Sequence, residues 1–185
     1  MKNISVLLFL LITLALNAQN NKTSGLNARQ FHKYWKVESE SPDYKVTFLG
    51  DTVEILSPKG LTLWRKEKMS GKVTIEYDAC VVVEVEGDRL SDLNCFWMAS
   101  DPQYPDNIWK REKWRSGIFL NCYSLQLYYM GYGGNHNSTT RFRRYDGNEA
   151  AITNAKARPA ILKEYTDADH LLEANKWYHI KITNE

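Results

Sequence analysis

The sequence has no cluster of basic residues, because no run of lysine or arginine is longer than two. The formal net charge of the 185 residues is only +2. A protein that binds a phosphate backbone needs clustered positive charges, and this composition does not supply them. Nucleic acid is therefore not an expected partner.

Cysteine is scarce, and no CxxC pair or paired-histidine spacing is present. A structural zinc site is therefore not expected. Cys80, Cys95 and Cys122 lie in strand-like segments, and an odd number leaves at least one thiol unpaired. Because buried cysteine behaves as a small apolar residue, we favour buried free thiols. Export would still permit one disulfide.

An apolar run long enough to span a bilayer comfortably, about 20 residues, is also lacking. Residues 4–16 are apolar except for Ser5 and Thr13, and they follow Lys2 and precede small residues at 17–18. This pattern predicts a signal peptide over residues 1–18, with the mature chain beginning near Gln19. We expect a periplasmic or extracellular protein with no transmembrane segment after signal removal. Residues 19–33 are predicted to be a flexible segment.

The sequence shows neither a long 3.6-residue hydrophobic period nor an internal repeat. Short alternating segments separated by turn residues predict a single all-β sandwich domain over residues 34–185. Strands are expected at 34–38, 45–49, 52–56, 62–66, 72–86, 94–99, 117–123, 124–132, 140–145 and 177–183. The last strand pattern ends at the final residues, so we expect the sandwich to be incomplete at its C-terminal end.

The segment 128–147 is the most informative part of the chain. It carries four tyrosines, a glycine-rich turn, one histidine between two asparagines, and three arginines. Alternation in a strand puts Arg141, Arg143 and Tyr145 on one face and Phe142 on the other, toward the core. Such a surface can stack on sugar rings and pair with carboxylates, which indicates a polysaccharide or oligosaccharide ligand. The alternative is a polar loop with ion-paired surface arginines.

Cleavage of a uronate polymer by β-elimination needs carboxylate neutralisation, a base and an acid. Arg141 and Arg143 can hold the carboxylate, and His136 or Tyr132 can act as the base. These four are the candidate catalytic residues. The candidate ligand-binding residues are Asn94, Trp97, Trp109, Trp114, Asn135, Asn137 and Tyr145.

Two further groups of residues have open interpretations. Trp109 and Trp114 lie among basic residues, so they could stack on a pyranose near the surface or pack under their own loop. Trp97 could lie in the core or form a sugar platform. Calcium is a conceivable cofactor, because oxygen ligands recur along one segment, although Asx turns would explain the same residues. The oxygen-bearing residues are Asp88, Asp92, Asn94, Asp101 and Asp106.

The order of these strands resembles the concanavalin A-like lectin/glucanase superfamily. The resemblance covers about residues 35–182 and depends on TVEILSPKGLTLWRK, GKVTIEYDACVV, NCFWMASDP and NKWYHIKI. More narrowly, DRLSDLNCFWMASDP and YGGNHNSTTRFRRY resemble an uncharacterised secreted family from polysaccharide-degrading bacteria. The resemblance implies a jelly-roll sandwich and a carbohydrate-active protein, which could be a polysaccharide lyase, a glycoside hydrolase-like enzyme or a non-catalytic lectin-like module. Glucanases of the superfamily carry an E-x-D-x-x-E strand, and here only Glu76-Tyr77-Asp78 approaches it.

Overall fold

A computed structural model describes residues 4–8 and 28–184. The described chain is mostly β-strand with a few short helices, which confirms the predicted all-β class. Its strands are β1 (Ile4–Leu8), β2 (Trp35–Ser39), β3 (Lys45–Leu49), β4 (Thr52–Ser57), β5 (Leu61–Arg65), β6 (Val73–Val82), β7 (Leu93–Ser100), β8 (Gln126–Gly133), β9 (Thr139–Asp146), β10 (Ile161–Tyr165) and β11 (Trp177–Asn184). Its α-helical segments are α1 (Ala28–Tyr34), α2 (Glu112–Arg115) and α3 (Ala150–Thr153), and a turn with left-handed backbone covers Gly134–Asn137. Short 3₁₀ helices cover Ile108–Arg111, Phe119–Ser124, Ala155–Ala157 and Ala168–His170.

The strands form three antiparallel sheets. Sheet I has the order β11-β6-β1-β4-β3, sheet II has the order β10-β9-β8-β7, and sheet III pairs β2 with β5. The hairpin predicted around Gly50 is confirmed, because β3 and β4 pair from Leu49↔Thr52 outward. Gly50 has a φ of +62°, a conformation that glycine adopts without steric cost.

Sheets I and II share one hydrophobic core. Val53, Tyr77 and Val81 of sheet I pack in the same cluster as Leu93 of sheet II. Phe31 of α1 is 1% exposed in this core. Residues 28–33 of the expected flexible segment therefore form most of a helix anchored by an aromatic side chain. Residues 19–27 lie outside the described residues.

The segment between β7 and β8 differs from the prediction. The strand expected at 117–123 is wrong, because Phe119–Ser124 is a 3₁₀ helix. The segment packs against the side of sheet II that faces away from sheet I, where it builds a second core with Trp64. A buried ion pair holds it to β2, since the Arg115 guanidinium donates to both carboxylate oxygens of Glu38 at 2.6 and 3.2 Å.

The N-terminal prediction falls mostly outside the described residues. Of the predicted signal peptide, residues 4–8 form β1, which pairs antiparallel with β4 and β6. The remainder of residues 1–18 lies outside the described residues, so export stays a prediction. Within the described part of the chain, no helix is long and apolar enough to cross a membrane.

Candidate functional site

Sheet II has two chemically different faces. The inner face packs toward sheet I and carries Cys95 and Tyr132, which belong to the shared core. The outer face carries the alternate residues, including Asn94, Arg141 and Arg143. All three are half-buried, so they remain accessible to a ligand.

Two cross-strand rows make up the part of the outer face that carries both arginines. The register aligns the first row as Asn94, Gly131, Arg141 and Glu164, from β7 to β10. The second row includes Phe96, Tyr129 and Arg143, from β7 to β9. Side chains directly opposite each other on neighbouring strands lie about 5 Å apart at Cβ, so these residues form one continuous surface. We call these seven residues the arginine face.

A glycine allows the two rows to interlock. The Tyr129 side chain leans over Gly131, and its hydroxyl donates to Oδ1 of Asn94 at 3.2 Å. A Cβ added at Gly131 would lie 2.5 Å from Cζ of Tyr129 and closer still to the hydroxyl oxygen. Glycine is required here for space, because it is not among the residues with positive φ. The amide nitrogen of Asn94 has no hydrogen-bond partner among the described residues.

The two arginines differ in their partners. Arg141 donates through Nε to the Glu164 carboxylate, so its charge is compensated. Arg143 donates through Nη1 to the backbone carbonyl of Pro159, which is neutral. Among the described residues the other guanidinium nitrogens of both arginines have no hydrogen-bond partner. The face therefore presents several unused donors and one uncompensated positive charge.

The second core closes one end of the arginine face. Trp64 stacks on Phe96 with ring centroids 5.8 Å apart, and Phe119 lies edge-on to Tyr129 at 5.7 Å. Burial is the main cause that raises the pKa of Tyr129, and the Asp92 carboxylate adds to it. Tyr129 therefore keeps its proton near neutral pH and can act as a hydrogen-bond donor.

Tyr145 shares the outer face, as alternation predicts, but it lies beneath the second core. Its side chain is 1% exposed, so a ligand on the surface does not reach it. Burial, with the neighbouring Tyr123 and Tyr129, raises the pKa of its hydroxyl. That hydroxyl has no hydrogen-bond partner within the described residues, which is unusual for a buried polar group.

Tyr132 is separated from the predicted arginine pair. It belongs to the inner face, where its ring lies edge-on to Tyr178 with centroids 5.2 Å apart. Burial is the largest of the causes that raise the pKa of Tyr132 to about 12. The sheet therefore lies between Tyr132 and the guanidinium groups of Arg141 and Arg143, and one sugar cannot contact all three.

The turn between β8 and β9 contains the other predicted polar residues. Asn135, His136 and Asn137 have φ values of +52°, +58° and +56°, so all three lie in the left-handed region. Asn135 bonds to Ser138 within the turn, and the Asn137 side chain bonds to both the N–H and the carbonyl of Leu172 at 2.8 Å. His136 is exposed and has no hydrogen-bond partner in the described part of the chain.

The predicted tryptophans do not join the arginine face. Trp97 lies on the inner face, where its ring stacks near-parallel to those of Tyr128 and Phe142 at 5.7 Å. Trp109 is half-buried against the second core. Trp114 is 44% exposed, and the Arg111 guanidinium lies 5.1 Å from its ring centroid.

Three of the predicted calcium ligands have other partners. Asp88 accepts hydrogen bonds from the backbone N–H groups of Glu84 and Val85, which lower its pKa. Asp92 pairs with Arg89, and the fully buried Asp101 pairs with Arg111. In residues 4–8 and 28–184 no group of three or more His, Cys, Asp or Glu side chains could hold a metal ion. All three cysteines are free.

Sequence reasoning missed Tyr129, Gly131 and Glu164. Tyr129 and Gly131 alternate with Tyr128 and Met130 along β8. Alternation along the predicted strand therefore places Tyr129 and Gly131 on the same face. Their position beside Arg141 and Arg143 depends on the β8–β9 register, and Glu164 depends on the pairing of β10.

No curated protein and no solved structure matches the chain. One family model matches residues 55–185, which is more than half of the sequence and includes the whole arginine face. The chain therefore belongs to the family described as a domain of unknown function (DUF6250).

Proposed function

We propose that this protein binds an acidic, uronate-containing polysaccharide on the arginine face of sheet II. The observation that carries the proposal is the presence of two half-buried arginines with unused donors on one accessible face. A guanidinium matches a carboxylate in shape and charge, and the pairing can be bidentate. The Asn94 amide beside them suits the hydroxyl groups of a sugar.

We also propose that the protein is an exported concanavalin A-like sandwich. Two antiparallel sheets that share a core are compatible with a concanavalin A-like jelly-roll sandwich, and the site would lie on the outer face of one sheet. A signal-peptide pattern over residues 1–18 supports export to the periplasm or the outside of the cell. Exposure to extracellular polysaccharides would follow from that location.

Cleavage of the same ligand by β-elimination is the second candidate. It is favoured by His136, an exposed imidazole held in a left-handed turn, since unusual backbone conformations concentrate at functional sites. His136 would take the C5 proton, the C4–O bond would break, and a C4–C5 double bond would form. The His136 imidazolium formed in that step would then return the proton to the leaving oxygen. Tyr132 has no part in this scheme, because it lies on the inner face.

The test uses the purified protein with polygalacturonate, alginate and a neutral glucan. Titration calorimetry measures binding, and the ultraviolet absorbance of unsaturated uronate together with new reducing ends measures cleavage. We expect binding to the two polyuronates that weakens with added salt, and none to the glucan.

The double variant Arg141→Gln/Arg143→Gln should lose that binding. Arg144→Gln is the matched control, because Arg144 is the next residue of β9 and points to the inner face. Equal losses in both variants, or equal binding of the glucan, would refute the proposed surface. Rising absorbance that disappears in His136→Ala would establish the elimination reaction, whereas reducing ends without absorbance would indicate hydrolysis.

A further inference from the structure

We infer that Arg143 is the principal residue for the anionic group of the ligand, and that Glu164 competes with that group for Arg141. This inference rests on the proposed function of the arginine face. It assigns different roles to two arginines that the sequence presents as equivalent. It also makes Glu164 a specificity residue, because its carboxylate weakens the attraction of the face for acidic sugars.

Arg141 and Arg143 differ in the charge of their partners. A ligand carboxylate that approaches Arg141 must share or displace the Glu164 carboxylate, which already binds Nε. A carboxylate that approaches Arg143 displaces no charge, because the partner of Nη1 is a neutral carbonyl. An incoming anion therefore gains more free energy at Arg143 than at Arg141.

The two arginines also differ in which guanidinium N–H groups are free. Glu164 occupies Nε of Arg141, so the side edge formed by Nε and Nη2 is already in use and only the end edge formed by Nη1 and Nη2 is free. Pro159 occupies Nη1 of Arg143, so Nε and Nη2 remain together as one unused edge. That edge carries two parallel N–H groups and can bind both oxygens of a carboxylate.

Arg143 lies in a more apolar environment than Arg141. Arg143 lies directly opposite Tyr129 in the β8–β9 register, in the row next to the second core. Tyr129 is 7% exposed and Tyr145 is 1% exposed, so the guanidinium lies beside side chains from which water is excluded. Lower effective permittivity strengthens a charge–charge contact there relative to one at the Arg141–Glu164 pair, whose side chains are 30% and 35% exposed.

Glu164 provides the sharper test, because its removal should improve binding. Exposed ion pairs of this kind are weak, so Glu164→Gln should raise the affinity for polygalacturonate and alginate by about two- to fivefold. Arg143→Gln removes charged hydrogen bonds, so it should lower the affinity for both polyuronates by about 10- to 100-fold. Arg141→Gln should lower it by only about threefold, because Glu164 already weakens that contact.

The experiment titrates each polyuronate into the wild-type protein and these three variants at one salt concentration. Asp146→Asn is the control for Glu164→Gln, because it removes the same charge from an exposed residue at the end of β9 that aligns with the inner face. Arg143→Lys keeps the charge but removes the two-nitrogen edge, so an affinity between those of wild type and Arg143→Gln is expected. Urea unfolding checks that each variant is folded.

The outcomes separate the inference from the proposed function. If the wild-type protein binds neither polyuronate, the proposed function fails, and this inference fails with it. If the wild type binds but the two arginine variants lose affinity equally, only the assignment to Arg143 is overturned. An unchanged affinity in Glu164→Gln, or a gain equal to that of Asp146→Asn, overturns the competing role of Glu164.

Discussion

Replacing Gly131 by alanine would test the packing that joins the two rows of the arginine face. The new methyl carbon would lie 2.5 Å from Cζ and 2.8 Å from Cε1 of Tyr129. Carbon atoms do not approach this closely without repulsion, so the tyrosine ring would have to move. Its hydroxyl would then lose the 3.2 Å hydrogen bond to Asn94.

The expected cost combines three terms. Forcing an extra methyl group into a packed site costs about 1–3 kcal/mol. Loss of the hydrogen bond adds about 1 kcal/mol. The lower entropy of an unfolded alanine returns about 0.4–1 kcal/mol, because the φ of Gly131 does not exclude a side chain. The free energy of unfolding should therefore fall by about 1–4 kcal/mol, and the melting temperature by several degrees.

Urea unfolding of Gly131→Ala and of Gly134→Ala would measure this cost. Gly134 is the matched control, because a Cβ there would have no neighbour closer than 3.7 Å. In a Tyr129→Phe background the cost of Gly131→Ala should be about 1 kcal/mol smaller, since the hydroxyl is already gone. If Gly131→Ala is as stable as Gly134→Ala, the reasoning about Tyr129 is refuted.

Three further predictions concern residues outside the arginine face. Glu38→Gln leaves the buried charge of Arg115 without its counterion, so urea unfolding should show a loss of about 3–5 kcal/mol, whereas replacing both by apolar residues should cost less. Tyr132→Phe should leave polyuronate affinity unchanged in calorimetry, and a large loss would contradict its position on the inner face. The pKa of His179 is raised, chiefly by a hydrogen bond to Asp78. Its contribution to the free energy of unfolding is therefore complete below its unfolded pKa of about 6.5 and is lost as the pH rises through the folded pKa. The stability difference between wild type and His179→Gln should thus be larger at pH 5.5 than at pH 9, and an equal difference would contradict this.

The sequence predicts strands well where side-chain alternation and turn residues agree. The pattern around Gly50 places β3 and β4 within one residue of their observed bounds. Alternation in β9 correctly separates Arg141 and Arg143 from Phe142, because a strand has only two faces. These predictions succeed because they use information from neighbouring residues.

The errors arise where distant segments decide the conformation. Residues 117–123 are predicted to form a strand, but Phe119–Ser124 forms a 3₁₀ helix that packs in the second core with Trp64. Proximity in sequence groups Tyr132 with the arginines, yet its ring contacts Tyr178 on sheet I. Glu164 could not be identified as a neighbour of Arg141 without the register of β10.

The arginine face departs from what stability alone would favour. The other buried or half-buried arginines whose burial the structure describes have carboxylate partners, as Arg115 has Glu38 and Arg111 has Asp101. Arg143 has only a carbonyl, although it lies beside aromatic side chains that exclude water. An uncompensated charge in such a place costs folding free energy, and departures of this kind concentrate at functional sites. Because a bound carboxylate would neutralise the same charge, this departure supports the acidic ligand that we propose.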